Sequence, residues 1–284
     1  MTMSVQRTSS DDEVKGVEAI FLARHRDELR RRGLSRATLN IVGVMLFLTV
    51  WEMLPRLGLV GNIILFPPPS IVIQTMWPMT LSGEVPYNIA ISLVRAGSGY
   101  VLASVLAITI GVLTARNRTI RDLLEPLLHG FRSIPAIAVV PISVLWFGIG
   151  EETKILLVTL GAFFPIWINT FIGVRDVHPI YLRSAACLGA SRRQTLFLVI
   201  LPAAIPLIIA GMRQGVAVSL IVLVAAELAG ARAGVAYMMS LGHQLFRTDI
   251  MFGGLVILAV LGFTADRLFV GLCRRLFPWY RPAA

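Results

Sequence analysis

The side chains in this sequence that could do chemistry are few and far apart. The four histidines (His25, His129, His178 and His243) match no metal-ligand spacing and read as interfacial polar residues. The cysteines Cys187 and Cys273 are not paired by spacing and read as structural thiols. There are only two lysines, Lys15 and Lys154, and neither follows a loop of the form GxxxxGK[ST]. The stretch FGIGEE at 147–152 has glycines but lacks the Lys and hydroxyl that hold a nucleotide triphosphate. No nucleophile–base pair stands out. The expectation is a chain that is not an enzyme and binds no cofactor. If ATP drives it, ATP and Mg belong to another subunit.

What remains is charge inside apolar sequence: Arg95, Arg132, Arg213, Glu227 and the adjacent Asp266–Arg267. Charge at such depth is costly and usually functional. Arg213 and Arg132 could line an anion path. For Arg95, Arg132 and Arg267 the favoured reading is snorkelling or capping of helix carbonyls, while for Arg213 both readings stay open. Asn169 and Gln214 suit either a pore or helix packing. The candidate translocation path is therefore Arg132, Asn169, Arg213 and Gln214. Glu227 and Asp266 read as isolated, without the paired carboxylates or broken-helix repeats of an ion-coupled secondary transporter, which stays as the alternative class.

The elements that must position these residues are membrane helices. Of 284 residues, 56% are hydrophobic and 15% charged, with a mean hydropathy of +0.77; soluble domains carry about a quarter charged residues. Apolar runs long enough to cross ~30 Å of hydrocarbon lie near 39–58, 89–115, 126–149, 153–174, 197–229 and 250–272. With a cytoplasmic N-terminus, 18 cations fall inside, four outside and four within spans, as the positive-inside rule requires. The net charge of +10 is thus topological, and no nucleic-acid partner is expected. An all-α bundle follows, multi-pass in the cell inner membrane with both termini cytoplasmic. Residues 1–36 lack the apolar core of a signal peptide and could form an interfacial helix or a solvated tail. The spans and their loops occupy 37–274, and 275–284 is a second cytoplasmic tail. Glycines such as Gly97, Gly99, Gly211 and Gly215 are expected to let helices approach closely.

The longest cytoplasmic loop between spans, 175–195, reads VRDVHPIYLRSAACLGASRRQ from Val174. A helix is expected over Tyr181–Leu188, broken at Gly189. Ser191 then caps a second piece, Arg192–Leu201, that enters the membrane at Pro202. Small side chains around the bend would let another protein approach the backbone.

At these residues the chain resembles the permease subunits of ATP-binding-cassette importers. Their cytoplasmic motif E-A-A-x(3)-G-x(9)-I-x-L-P is met by Ala185, Gly189, Leu201 and Pro202. Arg183 stands at the glutamate position, Ser184 at the first alanine and Val199 at the isoleucine. LFPPPS at 65–70, the stretch 133–170 and VAAEL at 224–228 resemble the sulfonate, taurine and nitrate branch of that family. The resemblance implies six transmembrane helices of the type I importer permease fold and a pore formed with a second copy of the chain. It implies a coupling helix seated on an ABC ATPase dimer, with Arg183, Ser184, Ala185, Ala186, Leu188, Gly189, Ala190, Ser191, Arg192 and Pro202 as contact residues. A periplasmic substrate-binding protein and membrane lipid complete the implied partners. The implied solute is a small anion, aliphatic sulfonate first, with taurine, nitrate or bicarbonate as alternatives.

Overall fold

The structure, a computed structural model, describes residues 38–60 and 63–279, so the tail 1–36 and the last five residues of 275–284 lie outside it. Every regular element among the described residues is helical. Five helices are long and apolar enough to cross a membrane, and a bent pair taken as one span makes six.

The chain divides into two units, 1–70 and 71–284. In the first, α1 (Thr38–Arg56) runs through Glu52 and Pro55. Glu52 is held by Arg56 at 2.6 Å and accepts from the hydroxyl and N–H of Ser70 at 2.8 and 3.1 Å. A carboxylate thereby meets the open N–H groups at the start of α2 (Pro69–Leu81).

In the second unit the core is a three-helix stack of α3 (Glu84–Arg116), α6 (Glu151–Arg175) and α8 (Arg192–Leu228). The middle helix, α6, packs against both others. Gly99 sits against Val158 and Gly111 against Thr170, so α3 and α6 run parallel. Gly161 meets Val222 and Gly211 meets Asn169, so α8 runs antiparallel to α6. A Cβ on Gly211 would lie 2.6 Å from Asn169 Cβ and 2.9 Å from the Pro165 carbonyl. Gly211→Val should therefore destabilise the bundle by about 1–3 kcal/mol through overpacking, read as a lowered melting temperature in detergent. Gly97 meets nothing and plays no such part.

The sequence suggested a span over 126–149. The structure has there α4 (Arg118–Arg132), a short 3-10 turn (Ala136–Val139) and α5 (Val140–Phe147), bent by 88°. Pro135, at φ −60° and ψ 126°, is extended. It has no N–H to continue the ladder and disfavours helix in the residue before it. Beyond α6 comes α7 (Pro179–Cys187). The long helix α8 then opens with a π segment over Thr195–Ile200, where the Leu201 N–H reaches back to the Leu196 carbonyl. This wider turn accommodates Pro202, whose ring would crowd the carbonyl four residues earlier. A short helix, α9 (Val235–Gln244), lies between the last two apolar runs, and α10 (Thr248–Leu276) is the last helix among the described residues.

Candidate functional site

Three places gather the residues singled out by sequence. The first is α7 and its bend. His178 caps the helix with Nδ1, accepting from the Ile180 N–H at 3.3 Å, and Pro179 takes the first turn. At the other end the N–H of Ala190 bonds the Ala185 carbonyl and that of Gly189 the Ala186 carbonyl, both at 3.0 Å. This is a Schellman pair, and it requires a left-handed residue, supplied by Gly189 at φ 71°. Ser191 and Gln194 then form a capping box, with Gln194 N–H donating to Ser191 Oγ and Ser191 N–H to Gln194 Oε1. The bend is thus fixed by its own backbone and side chains.

Ala185 is buried, and Leu182 packs on the cluster of Phe171, Val174, Ile200 and Ala204 that joins α6 to α8. Arg183, Ser184, Ala186, Cys187, Gly189, Ser191 and Arg192 are exposed, Leu188 is 86% exposed and Ala190 is partly covered. Pro202 is exposed too, roughly three turns into α8. α7 therefore has one face fastened to the core and another facing outward.

The second place is a cavity of about 320 Å³ lined by Arg132, Gln214, Phe164, Ile168 and Val218, among others. It lies at the break between α4 and α5, against the middle of α6 and α8. Arg213, one residue before Gln214, points elsewhere because successive helical residues are turned by about 100°. Its guanidinium holds Asp266 on α10 through Nε–Oδ1 at 2.6 Å and Nη2–Oδ2 at 2.8 Å, so Asp266 is not isolated. The pair lines a separate, mostly apolar cavity of about 420 Å³. Asn169 sits at the α6–α8 crossing and donates to the Pro165 carbonyl at 2.8 Å. Of the four path candidates, the structure brings together Arg132 and Gln214 only.

The third place was not foreseen. Arg95, 3% exposed, neither snorkels nor caps its own helix. It holds Glu227 through Nη1 at 2.8 Å, donates to the Ala233 carbonyl at 2.6 Å and binds Glu151 with both Nε and Nη2. Lys154, 4% exposed, joins Glu151 at 3.3 Å and the Ile149 carbonyl at 2.9 Å. Glu227 also accepts from Ser92 at 2.7 Å and from the Ala236 N–H at 3.0 Å. The N–H of Val235 goes to Ser92, and that of Gly234 to Asn88. Three consecutive open N–H groups at the start of α9 are therefore capped by side chains of α3 and α8. A Cβ on Gly234 would run into the Glu227 carboxylate. One signal was present in the sequence: Asn88, Ser92 and Arg95 share a helical face of an otherwise apolar α3.

The comparisons with known proteins bear on the family and the fold. Residues 107–278 match the family described as binding-protein-dependent transport system inner membrane component. Over 252 residues the chain is 36% identical to the taurine transport system permease protein TauC of Escherichia coli (strain K12), covering 86% of this chain and 90% of that one. It is 38% identical over 232 residues to the aliphatic sulfonates transport permease protein SsuC of Bacillus subtilis (strain 168), covering 82% and 84%. Its fold is similar to a chain of the MetNI methionine ABC transporter solved in inward-facing conformations, with TM-score 0.53 at 18% identity over 69% of this chain and 96% of that one.

Proposed function

This chain belongs to the family of binding-protein-dependent transport system inner membrane components, and from that premise we propose that it forms the translocation path of an ATP-driven importer for a small anion. The solute we assign first is an aliphatic sulfonate, with taurine, nitrate or bicarbonate behind it. Names among the relatives support this order, since TauC and SsuC are taurine and aliphatic sulfonate permeases. Two copies of the chain form the pore, a periplasmic binding protein delivers the solute, and both termini are cytoplasmic. ATP and Mg are bound by a separate ATPase dimer.

The observation that carries the reading is α7. An ATPase pushing on its exposed face, around Arg183, Ala186 and Leu188, would move Ala185 and Leu182 and with them the junction of α6 and α8. A lever must not bend at its joint, and the Schellman pair and capping box stiffen the joint. Glu227, buried, and Asp266, partly exposed, each face an arginine, which leaves neither available as an ion-coupling carboxylate.

Arg183 replaces the acid of the family motif, and we assign it an acidic partner on the ATPase. Arg183→Glu should lower ATP-driven uptake several-fold in reconstituted vesicles, and reversing the partner's charge should restore it. Unchanged uptake in the single variant would remove Arg183 from the contact.

A further inference from the structure

Away from the helix ends that carry the cytoplasmic arginines, cations within the apolar stretches have partners in this chain. Arg95 has Glu227 and Glu151, Lys154 has Glu151, and Arg213 has Asp266. Arg121 donates to the carbonyls of Thr114 and Ala115, and Arg267 lies 5.0 Å from the Phe263 ring. Among the described residues, Arg132 has no carboxylate, carbonyl or ring partner, and the Gln214 side chain makes no hydrogen bond. These two groups line the same cavity of about 320 Å³. The rest of its wall is apolar, chiefly Leu160, Phe164, Ile168 and Val218, and no acidic side chain lines it. From Glu151 to Pro165 on α6 is roughly 21 Å at 1.5 Å per residue, which puts the cavity near mid-span.

We propose that this cavity is an intramembrane substrate site selective for an organic oxyanion with an uncharged tail. This rests on the importer reading and sharpens it. The Arg132 guanidinium is a planar fork suited to two oxygens of a sulfonate, and the Gln214 amide can donate to a third. The size and mostly apolar lining with few polar groups suit a small ligand. An alkyl tail lies against Phe164, Ile168 and Val218, each buried methylene improving occupancy by about fourfold. A tail bearing an ammonium, as in an aminosulfonate, would meet this apolar wall with no carboxylate to receive it. A bare inorganic oxyanion would leave the apolar wall unused. Selection here would act in addition to that of the binding protein.

The test is uptake by the complete transporter (this chain, its ATPase and its binding protein) in proteoliposomes. The substrates are butanesulfonate, methanesulfonate, taurine and sulfate. A titration of the detergent-solubilised permease–ATPase complex with butanesulfonate, methanesulfonate and taurine, without binding protein, accompanies it. Arg132→Gln should cut butanesulfonate uptake at least tenfold and abolish binding in the titration, with assembly unchanged. Arg132→Lys should recover part of both. Phe164→Ala should reduce the preference for butanesulfonate over methanesulfonate at least tenfold in the titration. Wild-type uptake and binding in Arg132→Gln would overturn the site, and so would a loss of assembly that Arg132→Lys does not repair. Tighter binding of taurine than butanesulfonate by the complex would overturn the uncharged-tail selectivity. An unaltered transporter that hydrolyses ATP yet moves no sulfonate would overturn the substrate reading itself, and this proposal with it.

Discussion

Arg95→Met should destabilise the folded chain by about 3–5 kcal/mol, the usual cost of removing one partner from a buried ion pair. Glu227 is 2% exposed, and after the substitution its charge would rest on the Ser92 hydroxyl and the Ala236 N–H alone. Glu151 would lose its arginine too, but its side chain is 59% exposed and hydration offsets much of that loss. The double replacement Arg95→Met with Glu227→Met should therefore recover a large part of the stability. Arg213→Met should cost much less, because Arg213 and Asp266 are 40% and 37% exposed. Thermal unfolding of the detergent-solubilised chain orders the three variants. A small loss in Arg95→Met would mean that the network does not hold the helix ends together.

Leu188→Asp should leave that stability within about 0.5 kcal/mol of the parent, as exposed substitutions usually do. In the importer reading, though, Leu188 is the apolar side chain α7 offers most openly, at 86% exposure. A residue at the centre of a docking surface carries roughly 2 kcal/mol or more. Affinity for the ATPase should then fall about 30-fold or more, and ATP-driven uptake should fall with it. The neighbouring thiol of Cys187 is exposed and the other, Cys273, is buried, so alkylation of Cys187 reports contact directly. The ATPase should protect Cys187 in the parent and fail to protect it in Leu188→Asp. Full protection in the variant would place the contact elsewhere.

How much was legible in the sequence depended on the range of the interaction. The bend after α7 is local: a glycine in the left-handed region and a Ser-x-x-Gln box act over six residues, and both were readable in order. The apolar runs marked the spans, since length and composition suffice for that. Pro135 is a local signal that a span is interrupted, but nothing local sets the angle of the 88° bend. The ion pairs were hidden. Arg95 and Glu227 are 132 positions apart, and Arg213 and Asp266 are 53 apart, so nothing in either neighbourhood names the partner. Glu227 and Asp266 therefore looked isolated, and Arg213 looked like an open cation. Arg132 and Gln214 came from the same kind of reasoning and met at one cavity. Helical phase accounts for the difference, because Gln214 faces α6 while Arg213, one residue earlier, faces α10. α9 is hard to read from the sequence because its ten residues carry no cap of their own. Its caps come from Asn88 and Ser92 on α3 and from Glu227 on α8.

The central claim is that a separate ATPase drives solute movement through this chain. The measurement that tests it is uptake of radiolabelled butanesulfonate by proteoliposomes holding the chain, its ATPase and its binding protein, with no ion gradient. The account predicts accumulation that requires ATP on the ATPase side and is lost when either partner is left out. Accumulation by the chain alone, driven by a proton or sodium gradient and indifferent to ATP, would contradict it.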